Sequence, residues 1–293
     1  GLVVLRVTGF GQDGPYAAKP AYDDLIQGFT AIPSLIAKSG DGVPRYIPLA
    51  IVDRYVGAHV VNAVLGGLLH RLRTGAGQAI GVPMFETMVD TLLGDHFGGQ
   101  MFDPPLGPAG YPRSLARERH PYRTQDGYVC VMMYLDHHWR SFGRIVGRDL
   151  LGTDPRFADI TSRTAHAGAV HAILEEILAT RTTGEWLQAF EAADIPANRL
   201  HTLDSLLHDP HLEAVDFLSW HEHPTEGRIR VMKPPSTSTL SPQTIRRHAP
   251  RLGEHTREVL GELGYRSTEI DALIATGCAR QAREVEPPAS GTD

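Results

Sequence analysis

Apolar positions along the chain fall into short continuous runs and four-residue repeats, and the alternation of the two predicts a mixed α/β protein. Leu2-Val3-Val4-Leu5-Arg6-Val7 is rich in branched side chains and reads as a buried strand. It starts at once, as expected of a chain that is a piece of a longer one. Thr8 to Tyr16 follows as a glycine-rich loop, and Tyr22 to Ile36 predicts a helix. After the polar turn Ser39-Gly40-Asp41-Gly42, the apolar stretch Ile47 to Val52 runs into Asp53. Val56, Val60, Val64, Leu68 and Leu72 then recur every four residues, and Val61, Leu65 and Leu69 widen the stripe, so this helix is expected to be mostly buried. Thr74-Gly75-Ala76-Gly77-Gln78 ends it, with Gly75 or Gly77 placed for a left-handed cap. Ala79 to Met84 predicts a short strand and Glu86 to Gly94 a further helix.

Between Gln100 and Pro121 proline, glycine and arginine displace the periodic pattern, as in a linker or loop. Gly127 to Met133 predicts a strand, and His138 to Val146 and Thr164 to Ala179 predict helices. Thr183 to Ala193 is another, its start marked by a threonine and a glutamate three residues apart in Thr182-Thr183-Gly184-Glu185. Phe217 to His221 and Arg228 to Met232 flank Pro224-Thr225-Glu226-Gly227 as the arms of a hairpin. Glu254 to Leu263 and Ser267 to Thr276 predict two helices joined at Gly264-Tyr265, and the polar tail from Gln281 to Asp293 is expected to be disordered.

Composition narrows the classes of function. The 293 residues are 42% hydrophobic and 21% charged, enough for one large domain or two smaller ones. With a net charge of −6 and no clustering of Lys and Arg, nucleic acid is a poor candidate and a small molecule a better one. No apolar run reaches bilayer length, so neither a membrane nor export is expected. Cys130 and Cys278 make neither a disulfide framework nor a zinc spacing, which fits a reducing, cytoplasmic setting.

Asp53 is the foremost candidate for chemistry because it stands where an apolar segment meets a long helix. It reads as an N-cap, accepting hydrogen bonds from free amides. The same position suits an ionised nucleophile, and the two readings are compatible. Tyr22, Asp23 and Asp24 open the preceding helix, where acidity complements the macrodipole. Gly9, Gly11 and Gly14 fall short of a dinucleotide fingerprint. The 15 histidines include adjacent His137 and His138, and His221 with His223, but no pattern of metal ligands. No Gly-x-Ser-x-Gly elbow or Walker loop occurs.

Seven strings, in order, resemble the family III CoA-transferases, the CaiB/BaiF family. They are Thr8-Gly9-Phe10-Gly11-Gln12-Asp13-Gly14-Pro15-Tyr16, Tyr22-Asp23-Asp24-Leu25-Ile26-Gln27-Gly28, Thr74-Gly75-Ala76-Gly77-Gln78, Glu191-Ala192-Ala193-Asp194-Ile195-Pro196-Ala197, Asp209-Pro210-His211-Leu212, His223-Pro224-Thr225-Glu226-Gly227 and Arg251-Leu252-Gly253-Glu254-His255-Thr256. The resemblance implies an α/β fold with a Rossmann-like, doubly wound large domain, here incomplete, a smaller α+β domain, and two chains interlocked as a homodimer. It places part of the large domain at 1–99, a linker at 100–121, the small domain at 122–235, and a return linker with large-domain helices at 236–280.

The resemblance also implies roles. Asp53 matches the catalytic aspartate, whose carboxylate carries first an acyl group and then CoA on the way from an acyl-CoA to a carboxylic acid. Tyr22 and Asp23 match substrate-site positions, and Thr8 and Gly9 match positions near CoA, which enters as a thioester substrate with no permanently bound cofactor. Racemases of the family carry a histidine where this chain has Tyr22, so racemase or dehydratase-like chemistry is the alternative, along with a truncated, non-catalytic homologue. The family's first segment has no counterpart before Gly1, and its glycine-rich lid none between Gln100 and Pro121. Arg117 and Arg119 in that stretch read either as a solvated charged loop or as carboxylate-holding groups.

Overall fold

The computed structural model describes residues 1–149 and 153–282, so most of the tail expected to be disordered lies outside the described residues. The chain divides into two compact units, 1–200 and 201–293. The expected boundary near residue 121 falls between two separate hydrophobic cores of the first unit.

The first core is built around a parallel pair of strands. β1 (Val4–Thr8) lies beside β2 (Ala79–Pro83), in register from Val4 opposite Ala79 to Thr8 opposite Pro83. Parallel neighbours need a long crossover. It is supplied by α1 (Asp23–Phe29), α2 (Ile32–Ser39) and α3 (Ile51–Thr74). α4 (Met84–His96) leaves β2 directly, and Phe10, Ile26, Val52, Val56, Val82 and Met88 form the buried centre.

Two expectations are corrected here. The single helix predicted over Tyr22 to Ile36 is two, broken at Ala31, whose φ of 61° is left-handed, with Pro33 in the first turn of α2. A proline there lacks the N–H a continuous helix requires, and its ring collides with the carbonyl four residues earlier. The second concerns α3, expected to be mostly buried. Val52, Val56 and Gly67 are buried, but Leu65 is 59% and Leu72 84% exposed, and Val61, Leu68 and Leu69 face solvent as well. Repetition every four residues marked the apolar stripe correctly; only part of that stripe meets protein within this chain. Gly75 is the left-handed cap, at φ 74°, its N–H donating to the Arg71 carbonyl at 2.8 Å.

The second core stands on the antiparallel sheet of β3 (Tyr122–Arg123), β4 (Tyr128–Val131) and β5 (Ala197–Arg199), with β4 in the middle. Against it pack α5 (Asp136–Val146), α6 (Ile160–Ala165), α7 (Ala167–Leu178) and α8 (Thr183–Ala192). Trp139, Phe142, Phe157, Trp186 and Phe190 fill the centre. Each buried indole has its acceptor: Trp139 donates to the Met133 carbonyl at 2.9 Å and Trp186 to the Leu178 carbonyl at 2.8 Å. The capping box read at Thr182 and Glu185 is present, with both backbone N–H groups satisfied by the opposite side chain. Asp126, in the turn before β4, accepts from the N–H and hydroxyl of Thr183 at 2.7 and 2.9 Å and so ties the sheet to α8.

In the second unit, α9 (Leu203–Leu206) and α10 (Pro210–Ala214) precede the hairpin of β6 (Leu218–His223) and β7 (Gly227–Met232), paired from Leu218 opposite Met232 to His223 opposite Gly227. α11 (Thr256–Glu262) and α12 (Ser267–Ala275) are the two closing helices the sequence predicts.

Candidate active site

Two of the sequence-predicted site residues, Asp23 and Asp53, meet at the start of α3. The helix begins at Ile51 with Ala50 in the capping position, so Asp53 is its third residue and not its N-cap. Alanine has no side-chain acceptor for the orphan amides. That role is filled from another helix. One carboxylate oxygen of Asp23 accepts from the backbone N–H groups of Val52 and Asp53 at 2.8 and 3.1 Å. The other accepts from Gln27 Nε2 at 2.6 Å. Gln27 is fully buried, and its own carbonyl oxygen accepts from the Ile47 N–H at 2.9 Å. One turn of α1, residues 23 to 27, therefore clamps both the approach to α3 and its first free amides.

The consequence for Asp53 is that its carboxylate has no structural duty. It is exposed, on the positive first turn of a 24-residue helix, and makes no hydrogen bond or ion pair among the described residues. The capping interpretation of Asp53 thus gives way, because Asp23 already occupies the amides an N-cap would serve. Apolar surroundings were expected for this acid, but solvent reaches it.

The glycine-rich loop is anchored beside the same clamp. Thr8 ends β1, its hydroxyl donating to the Phe10 carbonyl at 2.9 Å. A Cβ at Gly9 would stand 2.2 Å from that of Ala21, the residue before Tyr22, so only glycine permits this approach. The loop also reaches α4: Phe85 N–H donates to the Gly9 carbonyl at 3.0 Å, and Gly11 N–H to Glu86 Oε1 at 2.8 Å. Phe10, Tyr16, Phe29 and Phe85 lock it in place, with ring centroids 5.2 to 5.9 Å apart.

Thr8, Gly9, Tyr22, Asp23 and the first turn of α3 thus form one continuous assembly through the Gly9–Ala21 contact and the Asp23 clamp. Tyr22 is 72% exposed and its hydroxyl makes no hydrogen bond among the described residues. Gln27 was missed as a site residue, although a polar residue four positions after Asp23 on one helix face is a legible pairing. Among the described residues no group of three His, Cys, Asp or Glu side chains is placed to hold a metal ion, and no helix is long and apolar enough to cross a membrane.

A parallel βαβ-type core thus presents an unengaged carboxylate at a helix start, with a glycine loop packed on the same elements. The model of CoA-transferase family III matches residues 1–256. The chain belongs to that family. It is 28% identical to the succinate–glutarate CoA-transferase of Agrobacterium fabrum over 89% of this chain and 65% of the relative. With the probable fatty acyl-CoA transferase Rv3272 of Mycobacterium tuberculosis it shares 29% identity over 87% of this chain and 66% of the relative. The chain therefore spans just under two thirds of the length of these relatives. Its fold superposes on the Rv3272 crystal structure with a TM-score of 0.72 at 26% identity, covering 87% of this chain and 68% of the other. A CaiB/BaiF family protein from Brucella suis gives 0.70 at 26% identity, covering 89% and 68%. The mixed α/β family fold expected from the sequence is the fold observed.

Proposed function

We propose that this protein transfers coenzyme A from an acyl-CoA thioester to a carboxylic acid, with the Asp53 carboxylate as the covalent carrier. The observation that carries the reading is that Asp23 holds the amides of α3, leaving the neighbouring acid exposed and unengaged. An Asp53 carboxylate oxygen attacks the thioester carbonyl, the C–S bond breaks, and CoA leaves as thiolate from a mixed anhydride. The thiolate attacks the Asp53 acyl carbon, releasing the donor acid and forming an aspartyl-CoA thioester. The acceptor carboxylate attacks that same carbon and expels the thiolate, which then takes the acceptor's acyl group and frees Asp53. Each adduct stays activated, so the thioester energy is conserved through the exchange.

Thr8 and Gly9 are assigned to the CoA side of the site, and Tyr22 to the acid. Asp23 acts through the clamp, as a positioning residue that fixes the first turn of α3. The exposed row of Val61, Leu65, Leu68, Leu69 and Leu72 supports an assembly in which α3 packs against further protein, consistent with the interlocked homodimer that the family resemblance implies. The similar Agrobacterium fabrum protein is a succinate–glutarate CoA-transferase, so a screen of acceptor acids begins with those dicarboxylates. Hydroxylamine trapping during turnover, followed by peptide mass spectrometry, tests the carrier. A hydroxamate at Asp53 supports it, and exchange with no modification there refutes it.

A further inference from the structure

The second core of the first unit carries a half-open cavity of about 330 Å³ between the β3–β4 strands and helices α5, α6 and α7. All its lining residues come from 113–174, so it shares none with the Asp53 assembly. Val131, Met132, Met133, Trp139, Val170 and Leu174 make an apolar wall. Three guanidinium groups, of Arg113, Arg119 and Arg163, line it too.

Arg163 is the most buried of the three. Only 5% exposed, it donates from Nη1 to the Phe157 carbonyl at 2.9 Å and from Nη2 to Asp136 at 2.5 Å. Its Nε–H is buried and has no acceptor. That N–H is closed to the cavity space as well as to solvent. Arg113 donates only to the Met132 sulfur at 3.3 Å, a weak acceptor, and lies 5.0 Å over the Tyr134 ring. Neither Arg113 nor Arg119 forms a salt bridge among the described residues. Three carboxylates are near: Asp136, engaged by Arg163, Glu118, which rests against Gly168, and Glu175, whose charge acts on the lining Tyr122. Burial holds His171 below its usual pKa, so at neutral pH its ring, hydrogen-bonded to the Tyr122 hydroxyl, adds no charge.

We infer that this cavity binds an organic carboxylate: its charged end lies at Arg113 and Arg119, and its apolar body lies against the Met132, Met133 and Trp139 wall. At about 30 Å³ per water molecule in the liquid, the volume is that of roughly ten waters, room for a short fatty or arylacetic acid. The inference does not rest on Asp53 or on thioester exchange. Of the two arginines read as a solvated loop or as carboxylate-holding groups, Arg119 lines the cavity and Arg117 does not.

The methionines supply the test. Of the six, Met132 and Met133 line the cavity, and Met84, Met88, Met101 and Met232 do not. In protein carrying ¹³C-methyl methionine, hexanoate titrated into the millimolar range is expected to shift the Met132 and Met133 methyl signals saturably and leave the other four in place. Hexanamide, of equal size and no charge, is expected to bind about ten-fold more weakly, as loss of a charge-assisted contact implies. Arg113→Ala weakens hexanoate by a similar factor, and Ala167→Phe, which fills the cavity wall, abolishes the shifts while the Met84 and Met88 signals report an intact first core. Absence of saturable shifts at Met132 and Met133, equal binding of hexanamide, or undiminished hexanoate binding by the folded Ala167→Phe protein each overturns the assignment.

Discussion

Replacing Asp23 by alanine separates the clamp from the chemistry it serves. The substitution removes three hydrogen bonds at once: those from the Val52 and Asp53 amides and from Gln27 Nε2. Loss of the helix cap alone costs about 1 kcal/mol. Gln27 is fully buried, so its stranded N–H donor adds about 1–3 kcal/mol of uncompensated desolvation. The sum, about 2–4 kcal/mol, corresponds to a fall in Tm of roughly 4–16 °C for a unit of this size. Asp53→Ala, by contrast, removes an exposed carboxylate without a partner and is expected to change stability by about 1 kcal/mol or less, the helix-dipole contribution alone. Urea denaturation followed by far-UV circular dichroism measures both. A wild-type midpoint for Asp23→Ala together with a large loss for Asp53→Ala would reverse the two roles and refute the account of the clamp.

Gly9→Ala places a methyl group 2.2 Å from the Ala21 Cβ, and the resulting overpacking is expected to cost about 1–3 kcal/mol and to loosen the 8–16 loop, read as lower midpoint and faster amide exchange there. The Asp126 carboxyl is held below its ordinary pKa, first by the Thr183 backbone N–H and then by the Thr183 hydroxyl. A carboxyl depressed in the folded state stabilises it above the unfolded pKa of about 4, and that contribution is lost as pH falls through the folded value. Thermal melts from neutral to strongly acidic pH should therefore show a shallower acid loss in Asp126→Asn than in wild type. Leu65→Glu with Leu69→Glu, both on the exposed stripe of α3, should leave the fold intact by circular dichroism and lower the apparent mass in sedimentation if that stripe is an assembly surface.

What the sequence made legible were features whose cause is local. The Thr182–Glu185 capping box, the hairpin turn at Pro224–Gly227 and the Gly75 cap each depend on a few adjacent residues, and each stands as read. The candidate site residues came from other signals, Tyr22 and Asp23 from a motif string and Asp53 from its place where an apolar segment meets a long helix, all without their geometry. The clamp was not legible, because Asp23 and the amides it caps are 29 and 30 residues apart and proximity at that range is decided by packing. Pro33 carried enough information to break the predicted 22–36 helix, but the apolar periodicity across it was given more weight. The exposure of α3 escaped for a deeper reason: a repeat of apolar residues says that a face wants to be covered and not what covers it. The cavity beside Arg163 joins residues from 113 to 174 through tertiary structure alone.

The central claim is that the Asp53 carboxylate becomes covalently loaded. The direct measurement compares wild type with Asp53→Asn in CoA exchange between an acyl-CoA and a free acid, with hydroxylamine present in a parallel sample for peptide mapping. The account predicts a hydroxamate at Asp53 in the wild type and loss of exchange in a variant that keeps its fold. Exchange by Asp53→Asn at the wild-type rate, or wild-type exchange with Asp53 unmodified, contradicts it.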